Sequence, residues 1–376
     1  VRPGLLAATA FLVSAVGIST WLAAAEYQTI PPRGDFLERH EAHWTLTGPQ
    51  ATVERRDALR RATFILPADR PTLDPAADPL RDPVPSCQLA PSEPTGTTPK
   101  FDCVFEGGDT VKVKYGHNAE IHGEAAATAL LRMLGYAADT VTIVPRLRCY
   151  GCPRHPFAAA HLRQLFHLSF MPEQISDGYT DFEWVAVERK FAAPAIETDA
   201  LSGWEWRDLD QVDAPRDEVD AFRLLAAFLA HWDNKSTNQR LVCLDGLPRQ
   251  SPQGDGGCVR PLAMIQDLGA SFGPAKVNLA RWRDLPIWYD RTSCLVSMRA
   301  LPFEGATFDD VQISEAGRAL AATRLGSIAD SQIERLFAEA RFPQFQGGTA
   351  DERDLRAWTQ AFKSRVRQIA DARCPF

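Results

Sequence analysis

A chain of 376 residues, 45% hydrophobic and 24% charged, can bury one large core or two smaller ones, and its composition is that of an ordinary globular protein rather than a disordered or fibrous one. Its formal net charge of -7 supplies no bulk attraction for nucleic acid or an anionic membrane, so no nucleic-acid partner is expected.

The first element is the apolar run "GLLAATAFLVSAVGISTWLAAA" at 4–25, which ends on Ala23, Ala24 and Ala25. It reads as an export signal, either cleaved after the small residues or retained as a membrane tether, and either form places the remainder outside the cytoplasm, as a periplasmic, secreted or anchored protein. Residues 26–84 read as linker. One amphipathic helix is expected in "QATVERRDALRRATF", after which prolines are too dense for regular structure.

Eight cysteines, an even count in a chain with an export signal, point to disulfides. Cys87 and Cys103 flank strand-like segments, Cys243 and Cys258 bracket a Gly and Pro rich insertion at 245–260, and Cys294 and Cys374 are placed to tie down the tail. Cys149 and Cys152 form a C-x-x-C that reads as a local disulfide, half a zinc site or a redox motif.

In "KFDCVFEGGDTVKVKYG" two alternating segments, 100–105 and 110–115, predict a hairpin turning near Gly107 to Asp109. Val111 and Val113 then face one way and Thr110, Lys112 and Lys114 the other. Upstream, Gly96, Thr97 and Thr98 form a hydroxyl-rich loop whose backbone N–H groups suit a phosphate, although a plain surface turn reads the same way. "NAEIHGEAAATALLRMLGY" predicts a helix burying Ile121, Ala125, Thr128, Leu131 and Leu134, with Glu120 and Glu124 in its first turns. "FEWVAVERKF" predicts a strand leaving through Glu188, Arg189 and Lys190 into a connector.

The apolar helix "EVDAFRLLAAFLAHW" runs into "HWDNKSTNQ", which places His231, Asp233, Lys235 and Asn238 at fixed offsets. A strand "QRLVCL", the insertion and a second strand in "LAMIQDLGASFG" follow, delivering Asp267 and Gly269 into a loop. A strand lysine, a glutamate on the next helix, an apolar helix ending in H-x-D-x-K-x-x-N and a strand ending in D-x-G occur in protein-kinase order. "GTTPKF", the strand lysine and "VERKF" resemble the succession found in HipA-like serine kinases, over residues 85–280. The chain thus resembles the atypical end of the protein-kinase-like superfamily, which also includes secreted, disulfide-bearing members. It departs from the usual pattern in having no G-x-G-x-x-G, no A-P-E after Asp267, Leu268 for phenylalanine and Trp232 for arginine.

The resemblance implies an α+β, two-lobed protein-kinase-like fold. Its N-lobe and hinge at 85–190 would be a small antiparallel sheet with one helix, its C-lobe at 191–376 mainly helical, and the signal or anchor and the Pro-rich linker would precede them. ATP with Mg2+ or Mn2+ is the implied cofactor. Lys114, or Lys112 in its place, would pair with the phosphates, beside the Gly96–Thr98 loop and Glu188, and Glu124 or Glu120 would orient Lys114. Asp233 would deprotonate an acceptor hydroxyl, Lys235 neutralise the transferring group, and Asn238 and Asp267 hold the metal. The acceptor would be a hydroxyl of a protein, a glycan or a small molecule. A nucleotide-binding pseudokinase module and an AMP transferase are the competing expectations.

Overall fold

The computed structural model describes residues 43–48, 50–67, 79–90, 96–106, 108–116, 118–165, 178–246, 257–301 and 305–376. The expected export segment at 1–25 and the tip of the insertion at 247–256 lie outside the described residues. In chain order the main elements are β1 (His43–Leu46), α1 (Ala51–Arg60), β2 (Ser86–Ala90), β3 (Lys100–Phe105), β4 (Thr110–Lys114), α2 (Ala119–Met133), β5 (Thr140–Tyr150), α3 (Pro156–Leu165), β6 (Tyr179–Arg189), β7 (Ala195–Thr198), α4 (Arg216–Leu229), β8 (Gln239–Cys243), β9 (Pro261–Ile265), α5 (Leu279–Asp284), α6 (Glu315–Gly326), α7 (Asp330–Glu339) and α8 (Leu355–Ala370). The chain is α+β and divides into two compact units.

The first unit takes Leu73–Gly116 and Val144–Arg189. Its strands close into a barrel in the order β2-β3-β4-β6-β5. β2, β3, β4 and β6 pair antiparallel in succession, and β2 runs parallel to β5. The two-residue alternation of these strands sends Phe101, Cys103, Phe105, Val111, Val113, Leu147, Cys149, Val185 and Val187 into one core. The hairpin forms as predicted, with Phe105 N bonded to Asp109 O at 2.9 Å and Gly108 at φ +84 in the left-handed region that glycine adopts without strain.

The second unit takes Glu41–Thr72, His117–Ile143 and Lys190–Phe376. Its sheet has the order β1-β7-β8-β9, in which β8 and β9 are antiparallel neighbours on either side of the insertion. Helix α4 is buried on every face from Val219 to Leu229 and packs on α6, while α6 and α7 pack on α8. All four expected cysteine pairs are at bonding distance, with S–S separations of 1.99 Å for Cys87–Cys103, 1.91 Å for Cys149–Cys152, 2.12 Å for Cys243–Cys258 and 1.98 Å for Cys294–Cys374.

Three boundaries depart from the sequence reading. The stretch 26–84 is not all linker, because β1 pairs with β7 and Leu46, Leu59 and Phe64 are buried in the second unit, where the Phe64 and Phe222 ring centroids lie 4.9 Å apart. Helix α2, expected in the small lobe, belongs to the second unit: His122 Nδ1 lies 2.8 Å from the Ala340 carbonyl, and Gly123 packs against the backbone of Gly269 and Ser271. The helix in the first unit is instead α3, whose initial Pro156 is preset for a first helical turn and whose Ala158 to Ala160 run favours helix.

Arg365 on α8 holds the second unit together from inside. Fully buried, it donates to the carbonyls of Ala227, Phe228, Trp282 and Leu285, the first two in the last turn of α4. Burial pushes its guanidinium down to about 9, which leaves it charged at neutral pH. Arg365→Lys keeps the charge but has three donors in place of a fork, so chemical denaturation should show a loss of about 2 kcal/mol. A variant as stable as the parent would refute this role.

Candidate active site

In the barrel, β4 presents Lys112 and Lys114 on one face, opposite the core-facing Val111 and Val113. Lys112 lies directly across from Glu188 in the β4–β6 register. The Glu188 carboxylate is 3.4 Å from Lys114 Nζ and 3.7 Å from Lys112 Nζ. Lys114 and Glu188 are both buried, so their charges interact through little water, whereas Lys112 is about one-third exposed. Gly96, at φ +70, leaves room for Lys100, whose Nζ lies 3.4 Å from where a Cβ at Gly96 would stand. Lys100 in turn pairs in register with Lys114. The loop thus meets a strand pair bearing three ammonium groups, with Asp102 of β3 in register with Lys112 and Glu188 of β6 beside Lys112 and Lys114. Thr98 is buried at its edge and Thr97 is exposed.

The rest of "VERKF" has structural partners. Arg189 bonds Asp109 at the hairpin turn and lies over the Phe105 ring, and Lys190 bonds the buried Asp139 at 3.0 Å. Asp139 also accepts from the Phe191 backbone N at 2.8 Å, fastening the start of the connector within the second unit.

In the second unit, α4 ends at Ala230 in the left-handed conformation, which turns the chain sharply into His231. Across the following loop, Lys235 Nζ is 3.1 Å from the Asp233 carboxylate, and Asn238 Nδ2 donates to the Asp233 backbone carbonyl at 2.6 Å. Asp233 keeps about a quarter of its side chain exposed. The strand leading to Asp267 is tied to the same loop by Gln266, whose backbone N donates to Asn238 O and whose Nε2 donates to Thr237 O, both at 2.9 Å. Trp232 N donates to Ala270 O at 3.4 Å, beyond Asp267.

Asp267 sits at φ +52, a conformation that costs a non-glycine residue about 1 kcal/mol or more and that concentrates at functional sites. Two residues on, Gly269 makes room for Glu120, whose Cγ would lie 2.3 Å from a Cβ placed there. Helix α2 therefore turns the face bearing Glu120, Gly123 and, one turn on, the buried Glu124 toward the Asp267 loop. The sequence-predicted residues gather in two sets. Lys112, Lys114, Glu188 and the Gly96 loop meet in the barrel; Asp233, Lys235, Asn238 and Asp267 share the second unit with Glu120 and Glu124. The barrel carboxylate at Lys114 is Glu188. Asn238 commits its amide NH2 to a carbonyl, which leaves its amide oxygen uncommitted to that bond, and the same unit carries the Asp267 carboxylate; oxygen donors of this kind suit a hard cation such as Mg2+ or Mn2+.

His231 is fully buried and, among the described residues, neither ring nitrogen has a hydrogen-bond partner. Desolvation pushes it down to about 4, against the opposing fields of Asp233 and Asp267. Because the folded state resists protonation while an unfolded histidine titrates near 6.5, stability is fully present above pH 6.5 and is lost as pH falls to 4, by about 3 kcal/mol. Denaturation of wild type and His231→Leu from pH 7.5 to 4 should show that difference opening on the acid side. Parallel curves would overturn it.

Sequence reading missed the residues that hold the loop in shape. Asn234 is buried, accepts from the backbone N of Thr307 and of Phe308 at 3.1 Å each, and donates to His231 O. Gly203, at φ +67, passes so close to the loop that an added Cβ would stand 1.7 Å from the Ser236 carbonyl oxygen. Nothing in a single polar run separates Asn234 from its neighbours, and the partners of both residues are remote in sequence.

No family model and no curated protein matches the chain. Among the described residues, no helix is long and apolar enough to cross a membrane. Among solved structures, the chain is similar to the proinflammatory kinase CtkA of Helicobacter pylori, at 9% identity and a TM-score of 0.41, covering 76% of this chain and 94% of that one. It is also similar to the Golgi casein kinase with Mn/ADP bound, at 12% identity and a TM-score of 0.33 over 77% of this chain and 72% of the other, and to a second structure of the Golgi casein kinase at 12% identity and a TM-score of 0.34.

Proposed function

We propose that the chain is an exported, ATP-dependent phosphotransferase that moves the γ-phosphate of ATP to a hydroxyl acceptor. The observation that carries this reading is the loop in which Asp233, Lys235 and Asn238 are hydrogen-bonded into one constellation and joined through Gln266 to the strained Asp267. Asp233 accepts the proton of the attacking hydroxyl and Lys235 offsets charge on the transferring group. Asn238 and Asp267 hold Mg2+ or Mn2+, which, when bound, neutralises phosphate charge. Lys112, Lys114 and the loop at Gly96, Thr97 and Thr98 supply positive charge and backbone donors for the nucleotide phosphates, and the ion pair with Glu188 positions Lys114. Glu120 and Glu124, on the α2 face near the Asp267 loop, shape the metal end of the site. The four disulfides fit an oxidising compartment.

Incubation of the purified chain with γ-labelled ATP, Mg2+ or Mn2+ and an extracellular extract of proteins and glycans tests the reading. A product heavier by one phosphate is expected. A product heavier by a nucleotide monophosphate would assign AMP transfer to the same residues, and ATP binding without product across the acceptors would assign a pseudokinase module.

A further inference from the structure

The barrel core holds four sulfurs in one group. Cys87, Cys103 and Cys149 are fully buried and Cys152 nearly so, and the two disulfides touch, with Cys103 Sγ 3.6 Å from Cys149 Sγ. The topology explains the contact: Cys87 on β2 stands in register with Cys149 on β5, and its neighbour Leu89 but one stands across from Cys103 on β3. A disulfide exchanges when a thiolate reaches one of its sulfurs, and here that sulfur is already in van der Waals contact. The other two disulfides, Cys243–Cys258 and Cys294–Cys374, lie in the second unit.

We propose that Cys87, Cys103, Cys149 and Cys152 form one thiol–disulfide exchange site, which takes a dithiol as co-reactant and moves the cross-link of β3 from β2 to β5. A thiolate of the dithiol attacks Cys152 Sγ, next to the turn at Gly151, and Cys149 leaves as thiolate. Cys149 attacks Cys103 Sγ: the Cys149–Cys103 bond forms, the Cys103–Cys87 bond breaks, and the electron pair leaves on Cys87, which takes a proton. The second thiol of the dithiol closes its own disulfide and releases Cys152 as a thiol. Two disulfides and one dithiol become one protein disulfide, two protein thiols and one external disulfide, so the two electrons entering come from the dithiol. The new link closes a loop of 46 residues where the parent links close loops of 16 and 3. Cys103 faces Val111 on β4, so the exchange shifts the covalent anchor of the strand beside the one carrying Lys112 and Lys114. The proposal is independent of the phosphotransferase reading.

The test is connectivity. The native chain is treated with one equivalent of dithiothreitol, a dithiol small enough for a buried site, quenched with N-ethylmaleimide and mapped without reduction. A Cys103–Cys149 peptide with alkylated Cys87 and Cys152 is expected in most of the reduced molecules. Alkylated Cys149 and Cys152 beside an intact Cys87–Cys103 bond would overturn the proposal, as would a Cys87–Cys149 link or reduction confined to the second unit. Cys152→Ser, which leaves Cys149 without its partner, should show the same Cys103–Cys149 peptide with no added dithiol; if that variant does not fold, the wild-type mapping decides.

Discussion

Asp233→Asn should leave ATP affinity within about threefold and lower turnover by about a hundredfold or more. The amide keeps the shape of the carboxylate and can still meet Lys235, which lies 3.1 Å from the Asp233 side chain, but it is a poor base. Asp267→Ala should behave differently. It removes the carboxylate assigned to the cation, so affinity for Mg-ATP should fall together with turnover. It also relieves no strain, since alanine at φ +52 is as disfavoured as aspartate or more so. Calorimetric titration with ATP and Mg2+, alongside product formation, separates the two variants. Full phosphoryl transfer by Asp233→Asn would refute the base assignment, and unchanged Mg-ATP affinity in Asp267→Ala would refute the metal assignment.

Gly203→Ala should cost about 4 kcal/mol of stability and disable the site as well. Two terms add. A left-handed alanine costs about 1 kcal/mol, and overpacking against fixed backbone costs up to about 3; here the added Cβ would overlap the carbonyl oxygens of both Ser236 and Gln239. Gly246→Ala separates the terms, because Gly246 has φ +82 and, among the described residues, nothing within 4 Å of its would-be Cβ. It should lose about 1 kcal/mol, the backbone share alone. Since Ser236 lies between Lys235 and Asn238, whatever Gly203→Ala displaces moves the site. Turnover of the folded fraction should therefore drop in Gly203→Ala and stay intact in Gly246→Ala. Equal destabilisation of the two variants would show that the loop yields to the methyl group.

The hairpin 100–114, the strand pair β8–β9 and the run of α4 into His231 were all legible in the sequence, because each rests on local periodicity, turn chemistry and near-neighbour pairing. So were the four cysteine pairs, although the C-x-x-C was open to three readings until Cys149 and Cys152 were seen at bonding distance. The assignment of 43–67 was not legible. Its apolar residues follow no pattern that names a partner, and they become core when Leu46, Leu59 and Phe64 meet a sheet and helix from far along the chain.

What the sequence by itself determined is the inventory and order of chemical groups: two lysines on one face of a strand, a carboxylate, lysine and amide at fixed offsets after an apolar helix, and an aspartate at the end of the second strand that follows. Those follow from residue type and from periods of two and 3.6, which need no knowledge of distant residues. Tertiary structure alone decided which groups meet. It set Glu188 between Lys112 and Lys114 through the β4–β6 register, laid Glu120 against Gly269, fixed the Asp233 loop through Asn234 and Gly203, and brought two disulfides into contact across β2. Each of these contacts joins residues separated by tens of positions. Such pairings are set by strand register and helix packing over the whole core, and local sequence carries no record of them.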